Sequence, residues 1–188
     1  EFQRLDLNEV IGVFEDAFCR IGRGEGVYHS RIRLTYPPHQ DGGAGRRWQQ
    51  NMRILPAMLP GVGAGLRIGA TKGRMVAGGG YLLVFFDFET MKPKAIISDF
   101  LIHGIRSGVP NGVAAKHLAR KSARTLGILG SGRIARSATR AVSAVRPIQR
   151  IKVYSPNPEH RKAYVQEIGT SLGIDVEDHG HPESVVRD

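Results

Sequence analysis

One segment constrains the fold of this chain more than any other. Residues 125–135, TLGILGSGRIA, place an apolar run before a glycine turn and a helical start, in the spacing G-x-G-x-x-A. Strand–turn–helix units that bind dinucleotides have this spacing. Gly130 permits the tight turn, Gly132 lets a pyrophosphate approach the backbone, and Ala135 lets the helix pack closely on the strand. Because the first turn of a helix offers free N–H groups to phosphates, we predict that the cofactor contacts are Gly130, Ser131, Gly132, Arg133 and Ile134.

The segments after this turn predict a βαβ arrangement. Apolar residues at helical spacing, a β-rich alternating run and a proline suited to a first helical turn follow one another. The predicted elements are a helix over 133–145 ended by Pro147, a strand over 151–154, a helix from Pro158 to about Leu172 followed by Gly173, and a short strand over 174–176.

The end of the second predicted strand normally selects the cofactor. An Asp or Glu there would bind the ribose hydroxyls of NAD, but no acidic residue lies between Arg146 and Pro158. Ser155 and Asn157 are neutral donors, and His160 and Arg161 follow closely. We therefore favour NADP over NAD as cofactor, with Ser155, Asn157 and Arg161 as contacts. The alternative is that Arg161 is a solvated helix residue.

Composition limits the other functions. The 188 residues, 41% of them hydrophobic, suffice for one large or two small domains. The single cysteine, Cys19, suits a reducing compartment, so we expect a cytoplasmic protein, and no apolar run is long enough to span a membrane. The net charge of +10 suggests an acidic partner, yet the 27 Lys and Arg are scattered and no nucleic-acid motif is evident. Nucleic-acid binding is a minor alternative, and we assign no metal ligands.

The front half of the chain predicts an α+β arrangement. Its pattern alternates between helical spacing, period-two runs and turns rich in proline and glycine. The predicted elements are a helix beginning at Asp6 with the face Val10, Ile11, Phe14, Phe18 and Ile21, strands over 31–36, 66–68 and 75–88, a turn over 87–93, a return strand over 95–97, and a helix capped by Ser98 or Asp99 that carries Leu101, Ile105, Val109, Val113 and Leu118. We predict a loop over 37–47, an irregular connection over 54–65, and a helix kinked or weakened by Pro110, Gly108 and Gly112.

The residues after Thr125 suffice for only one of the two halves of a dinucleotide-binding domain. The predicted fold is therefore α/β, with an α+β domain over residues 1–120 and the N-terminal half of a Rossmann domain over residues 121–188. We expect the chain to be a fragment of a longer protein.

The order of several segments resembles the ornithine cyclodeaminase/mu-crystallin family. These segments are VFFDFET at 84–90, IRSGV at 105–109, AAKHLAR at 114–120, the glycine turn, VRPI at 145–148 and VYSPNPEH at 153–160. The resemblance implies that the first domain forms a homodimer and binds substrate, and that the Rossmann domain presents a nicotinamide to it. Relatives include cyclodeaminases, ketimine reductases, alanine dehydrogenases and a thyroid-hormone-binding crystallin.

The resemblance also implies a set of substrate contacts. Family members hold the substrate carboxylate with basic residues, which correspond here to Arg31, Arg67 and Arg106. The family usually has lysine at the position of Arg67; arginine still pairs with a carboxylate but does not titrate, and Lys72 is a nearby substitute. The family's catalytic aspartate would lie beyond Asp188, so the catalytic residue is unassigned, and Asp87 and Asp99 are interpreted as turn and cap residues.

Taken together, the sequence predicts an NAD(P)-dependent oxidoreductase or cyclodeaminase that acts on an amino acid or cyclic imino acid. The alternative is a non-catalytic, NADP(H)-dependent ligand-binding protein of the mu-crystallin type.

Overall fold

The computed structural model describes residues 6–36, 50–72, 80–99 and 102–187, with only the backbone described at residue 72. The predicted loop over 37–47, residues 75–79 of the strand predicted over 75–88, Leu101 and the side chain of Lys72 lie outside the described residues. The chain forms two compact units, residues 17–103 and residues 1–16 with 104–188. The division by role at residues 120 and 121 stays a prediction.

The unit of residues 17–103 is built on an antiparallel sheet. Its order is β1-β3-β4-β5-β6, and β2 pairs with β3 next to β1. The strands are β1 (Val27–Tyr28), β2 (Ile32–Tyr36), β3 (Gln50–Leu59), β4 (Gly63–Lys72), β5 (Tyr81–Phe86) and β6 (Pro93–Ser98). The predicted turn after β5 is confirmed, because the Asp87 carboxylate accepts hydrogen bonds from the N–H and hydroxyl of Thr90, each at 2.9 Å.

The irregular connection predicted over 54–65 is wrong. These residues form most of β3, a tight turn and the start of β4, and the two strands pair from Gln50–Lys72 to Leu59–Gly63. Pro56 is tolerated because its carbonyl faces β1, where it accepts a hydrogen bond from His29 N–H at 3.2 Å. The amide and carbonyl of one strand residue point to the same side, so the missing N–H of Pro56 faces the break between β1 and β2 rather than β4.

One face of this sheet is apolar and open. Side chains alternate across a strand, so the residues paired through Ile32–Ile54–Ile68–Leu82 and Leu34–Met52–Ala70 share a face. We call this the apolar face. Its exposed members are Val27, Ile32, Leu34, Tyr36, Met52, Met58, Leu82 and Ile96.

The second unit contains a parallel sheet of order β7-β8-β9, as predicted for the half Rossmann domain. Its elements are β7 (Thr125–Leu129), α3 (Arg133–Val145), β8 (Arg150–Tyr154), α4 (Pro158–Leu172), β9 (Asp175–Asp178) and α5 (Glu183–Val186). The core between sheet and helices is formed by Ile148, Ile151, Val153, Tyr164 and Ile168. The predicted α/β class and the predicted elements of this segment are confirmed.

Helix α1 (Leu7–Gly22) begins where the sequence predicts. The Asp6 carboxylate accepts hydrogen bonds from Asn8 N–H at 2.8 Å and Glu9 N–H at 3.4 Å, which satisfies two of the free amides of the first turn. Ile11 then packs with Val109, Val113 and Ala141.

Helix α2 (Ile102–Leu118) continues through Pro110. Its glycines, expected to weaken the helix, have a packing role. A Cβ atom on Gly108 would lie 2.7 Å from Ala138 N, and one on Gly112 would lie 2.8 Å from Ala141 O. Gly104, one turn earlier, approaches the side chain of Arg133. The three glycines form one stripe, because residues four apart share a helix face, and they bring α2 against α3.

Candidate functional site

The turn between β7 and α3 requires a glycine at its first position. Gly130 has a φ of +114°, a conformation that L side chains rarely adopt. Its N–H donates to the carbonyl of Tyr154, the last residue of β8, at 2.6 Å. The turn is therefore fixed beside the carboxyl end of β8, where two parallel strands end together.

Gly132 serves a different purpose. It is the N-cap of α3 with φ −81° and ψ −175°, which any residue can adopt. A Cβ atom placed on it would have no heavy atom within 4 Å, and no side-chain hydrogen bond caps this helix end. The fold does not need a glycine here, but a ligand approaching the first turn of α3 does. The position therefore fits a phosphate group.

Two serines lock the turn to the neighbouring strand. The hydroxyls of Ser131 and Ser155 are hydrogen-bonded at 2.8 Å, and both residues are buried. The Ser131 carbonyl accepts a hydrogen bond from the Arg136 guanidinium. The two hydroxyls predicted as cofactor contacts thus already bond each other, so their first role is to hold the turn.

Charged groups on α3 and α4 support this arrangement. Arg136 and Arg140 both bind the Glu167 carboxylate, at 2.7 and 3.0 Å. Partial burial acts to raise the pKa of Glu167, but the hydrogen bonds from the two arginines outweigh it and lower that pKa below its usual value. Burial raises the pKa of Tyr164, whose hydroxyl is hydrogen-bonded to that of Thr139 between the same helices.

The residues that follow β8 are held together by Arg161. Its side chain is only 11% exposed, so it is not the solvated residue of the alternative interpretation. Its Nε donates to the Asp178 carboxylate at the end of β9, and its Nη1 donates to the Ser155 carbonyl at 2.6 Å. The side-chain oxygen of Asn157 accepts from His160 N–H and caps α4. The predicted residues Ser155, Asn157 and Arg161 therefore lie together, with Asp178 as an acidic neighbour that the sequence analysis missed.

The predicted carboxylate-binding arginines belong to both units. Arg31 precedes β2 and Arg67 lies in β4, both in the antiparallel unit. Arg106 is half-buried in α2, in the part of that helix that belongs to the other unit.

Arg67 occupies a constrained, buried position. It is 8% exposed, and its Nε donates to the Asp99 carboxylate. The guanidinium lies 4.4 Å from the centroid of the Tyr81 ring, which in turn stacks on the His103 ring. The buried Nη2 has no hydrogen-bond partner. Asp99 was interpreted only as a helix cap; its carbonyl does accept from His103 N–H at 2.9 Å, but the sequence analysis missed its ion pair with Arg67.

Two further arginines share the sheet face of Arg67. Arg33 pairs with Arg53 across β2 and β3, and Arg53 pairs with Gly69, two residues along β4 from Arg67. We call the face that bears Arg33, Arg53 and Arg67 the arginine face. The alternating run Arg31-Ile32-Arg33 in the sequence could have indicated it, but Arg53 lies next to the segment wrongly predicted to be irregular.

Within the described ranges, no helix is both long and apolar enough to cross a membrane. In the same residues, no group of three or more His, Cys, Asp or Glu side chains is arranged to hold a metal ion.

The model of one protein family matches nearly the whole chain. It is described as the ornithine cyclodeaminase/mu-crystallin family, and it matches residues 3–188.

Individual relatives match over different lengths. A Δ1-pyrroline-2-carboxylate reductase of Bacillus cereus is 38% identical over 92 residues, which cover 49% of this chain and 28% of that protein. An alanine dehydrogenase of Archaeoglobus fulgidus is 25% identical over 182 residues, covering 90% of this chain and 51% of that protein. The Thermococcus litoralis Δ1-pyrroline-2-carboxylate reductase in complex with NADH and L-proline has a TM-score of 0.78 and 25% identity, covering 93% of this chain and 53% of that structure. The chain spans about half the length of these longer-matching relatives.

Proposed function

Because the chain belongs to the ornithine cyclodeaminase/mu-crystallin family, we propose that it is part of an NAD(P)-dependent oxidoreductase or cyclodeaminase acting on an amino acid or imino acid. The observation that carries this proposal is the open space at Gly132, in front of uncapped amides of α3. Relatives named as reductases and dehydrogenases, including one solved with NADH and L-proline, support it.

The residues present fit a dinucleotide. Gly130 sets the turn, Gly132 leaves room for the pyrophosphate, and the amides of Arg133 and Ile134 face it from the first helical turn. When bound, the nicotinamide supplies or accepts a hydride, and the protein contributes position and charge. Ser131 and Ser155 keep the turn in register with β8, so the phosphate site is formed before the cofactor arrives.

We favour NADP over NAD. The end of β8 has no carboxylate that would bind ribose hydroxyls, and Arg161 lies there with a fixed guanidinium. Asp178 limits this preference, because it neutralises part of the charge that a 2′-phosphate would meet.

We assign the binding of the substrate carboxylate to Arg31, Arg67 and Arg106. The buried Nη2 of Arg67 lacks a partner and can donate to a carboxylate oxygen, while Asp99 and Tyr81 hold the guanidinium in place. Arg67 therefore has an orienting role in this proposal. Such orientation can contribute several kcal/mol to catalysis.

The first domain would also form a homodimer. The apolar face carries eight exposed apolar side chains in one sheet, and such a surface suits a self-complementary interface. In this proposal residues 1–120 provide the substrate-binding and dimerisation domain, residues 121–188 provide half of the nucleotide-binding domain, and the dimer works in the cytoplasm.

The proposal is tested on the complete protein of which this chain is part, by assaying oxidation of NADPH and NADH with cyclic imines and α-imino acids, and the reverse reaction with amino acids. We expect turnover with at least one substrate, and a loss of at least 100-fold in kcat/KM for Arg106→Ala. Arg120→Ala, which removes an exposed arginine of the same unit, should leave turnover unchanged. Tight cofactor binding without any oxidation would instead favour the non-catalytic ligand-binding alternative, and unchanged turnover in Arg106→Ala would contradict the carboxylate assignment.

A further inference from the structure

The arginine face carries more positive charge than one substrate carboxylate requires. Arg67 is neutralised by Asp99, whereas no ion pair with a described carboxylate is recorded for Arg33 or Arg53. The Nε of Arg53 is buried and has no hydrogen-bond partner. Two positive charges therefore remain on this face after Arg67 has been paired.

The strand register makes this excess of positive charge energetically unfavourable when no anion is bound. Arg33 and Arg53 are direct partners across β2 and β3, and like charges directly opposite each other destabilise a sheet. A buried donor without a partner adds to that cost. Neither the like-charge pair nor the unpartnered Nε stabilises the fold. Both therefore indicate that Arg53 binds an anion.

The same register fixes how far this anion lies from Arg67. Arg53 pairs with Gly69, and Arg67 is two residues away from Gly69 along β4. The two arginines are therefore diagonal neighbours in the sheet, with their Cα atoms about 7–8 Å apart. Gly69 has no side chain, and the Tyr81 ring fills the space above it, since a Cβ atom there would lie 2.8 Å from Tyr81 Cδ1. The two guanidinium groups can thus bind two ends of one short ligand.

We propose that the substrate carries a second carboxylate, which Arg53 binds with help from Arg33, so the protein acts on a dicarboxylic amino or imino acid. This inference rests on the proposed function, in which Arg67 takes the first carboxylate. Arg53 is thereby a specificity-determining residue: it contributes little to binding of a substrate that lacks the second charge.

The test compares pairs of ligands that have the same size and differ in one charge. Binding of L-aspartate and L-asparagine, and of L-glutamate and L-glutamine, is measured by calorimetry on the full chain saturated with NADPH or NADH. We expect at least tenfold tighter binding of one acid than of its amide. Arg53→Gln should reduce that ratio below threefold without weakening the amide, and Arg120→Gln, an exposed control, should leave it unchanged. Arg53→Lys, which keeps the charge, should retain part of the preference.

A thermal melt separates this role from a structural one. Without ligand, the melting temperature of Arg53→Gln should equal or exceed that of the wild type, because the substitution removes a like-charge pair. Malonate should raise the melting temperature of the wild type more than acetate does. The inference is overturned if the wild type binds acid and amide equally. It is also overturned if Arg53→Gln has a lower melting temperature and binds acid and amide more weakly to the same extent. If neither nicotinamide binds, the proposed function fails and this inference fails with it; if one binds and the acids show no preference, only the inference fails.

Discussion

Single residues at the glycine turn separate what the fold needs from what a ligand needs. Gly130 has a backbone conformation that disfavours any other residue, although a Cβ atom there would meet nothing. Gly132 has an ordinary conformation and open space in front of it. The two glycines of one motif are therefore required for different reasons, the first by the turn and the second by what approaches it.

This difference gives a prediction for Gly132→Ala. The free energy of unfolding should fall by no more than about 1 kcal/mol, because the new methyl group meets no protein atom and alanine is only a poorer N-cap than glycine. Binding of NADPH, measured by fluorescence titration, should weaken at least tenfold, because the methyl group occupies the approach to α3. Normal affinity in this variant would show that the phosphates bind elsewhere.

The ion pair between Arg161 and Asp178 gives a prediction about cofactor choice. Asp178→Asn keeps an acceptor for Arg161 Nε but removes a negative charge, so the Kd for NADPH should fall several-fold while that for NADH changes less than twofold. Arg161→Gln should weaken NADPH more than NADH. Asp175→Asn removes the same charge at the opposite end of β9 and serves as control. An equal effect of Asp178→Asn on both cofactors would exclude a role in selecting the 2′-phosphate.

At the scale of secondary-structure elements, the contact between α2 and α3 depends on the absence of side chains. Gly108→Ala should destabilise the protein by about 1–3 kcal/mol, because its methyl group would lie against Ser137 and Ala138 of α3. Gly12→Ala is the matched control in an exposed part of α1, where a Cβ atom meets nothing. It should stabilise the protein by about 0.5–1 kcal/mol, because alanine favours the helix. Urea denaturation of both variants checks the opposite signs.

The elements also show which structure the sequence can predict. The segment after Thr125 was predicted closely, because each boundary has a local cause such as Pro158 at a helix start or Gly173 at a helix end, where φ is +65°. Strand β3 was missed and only residues 66–68 of β4 were predicted, because Pro56 and Pro60 suggest irregular structure unless the break between β1 and β2 is known. The ion pairs of Arg67 and Arg161 join residues distant in the sequence, so no local pattern reveals them.

At the scale of the whole molecule, the apolar face predicts association. Leu34→Glu places a charge on this face in the edge strand β2, where leucine is 58% exposed, and should convert a dimer into monomers in analytical ultracentrifugation. Val62→Glu introduces the same charge at an exposed apolar residue in the turn between β3 and β4, outside the face, and should leave the dimer intact. A wild-type protein that is monomeric at micromolar concentration would contradict the proposed interface.

The central claim is that the chain binds a nicotinamide dinucleotide at the turn between β7 and α3. The most direct measurement is a titration of the isotopically labelled chain with NADPH, followed through its backbone amide resonances. We expect the largest shifts at Ser131, Gly132, Arg133 and Ile134, with further shifts at Ser155 and Arg161. Unchanged resonances at residues 130–134 under saturating NADPH and NADH, or shifts confined to the antiparallel sheet, would contradict the claim.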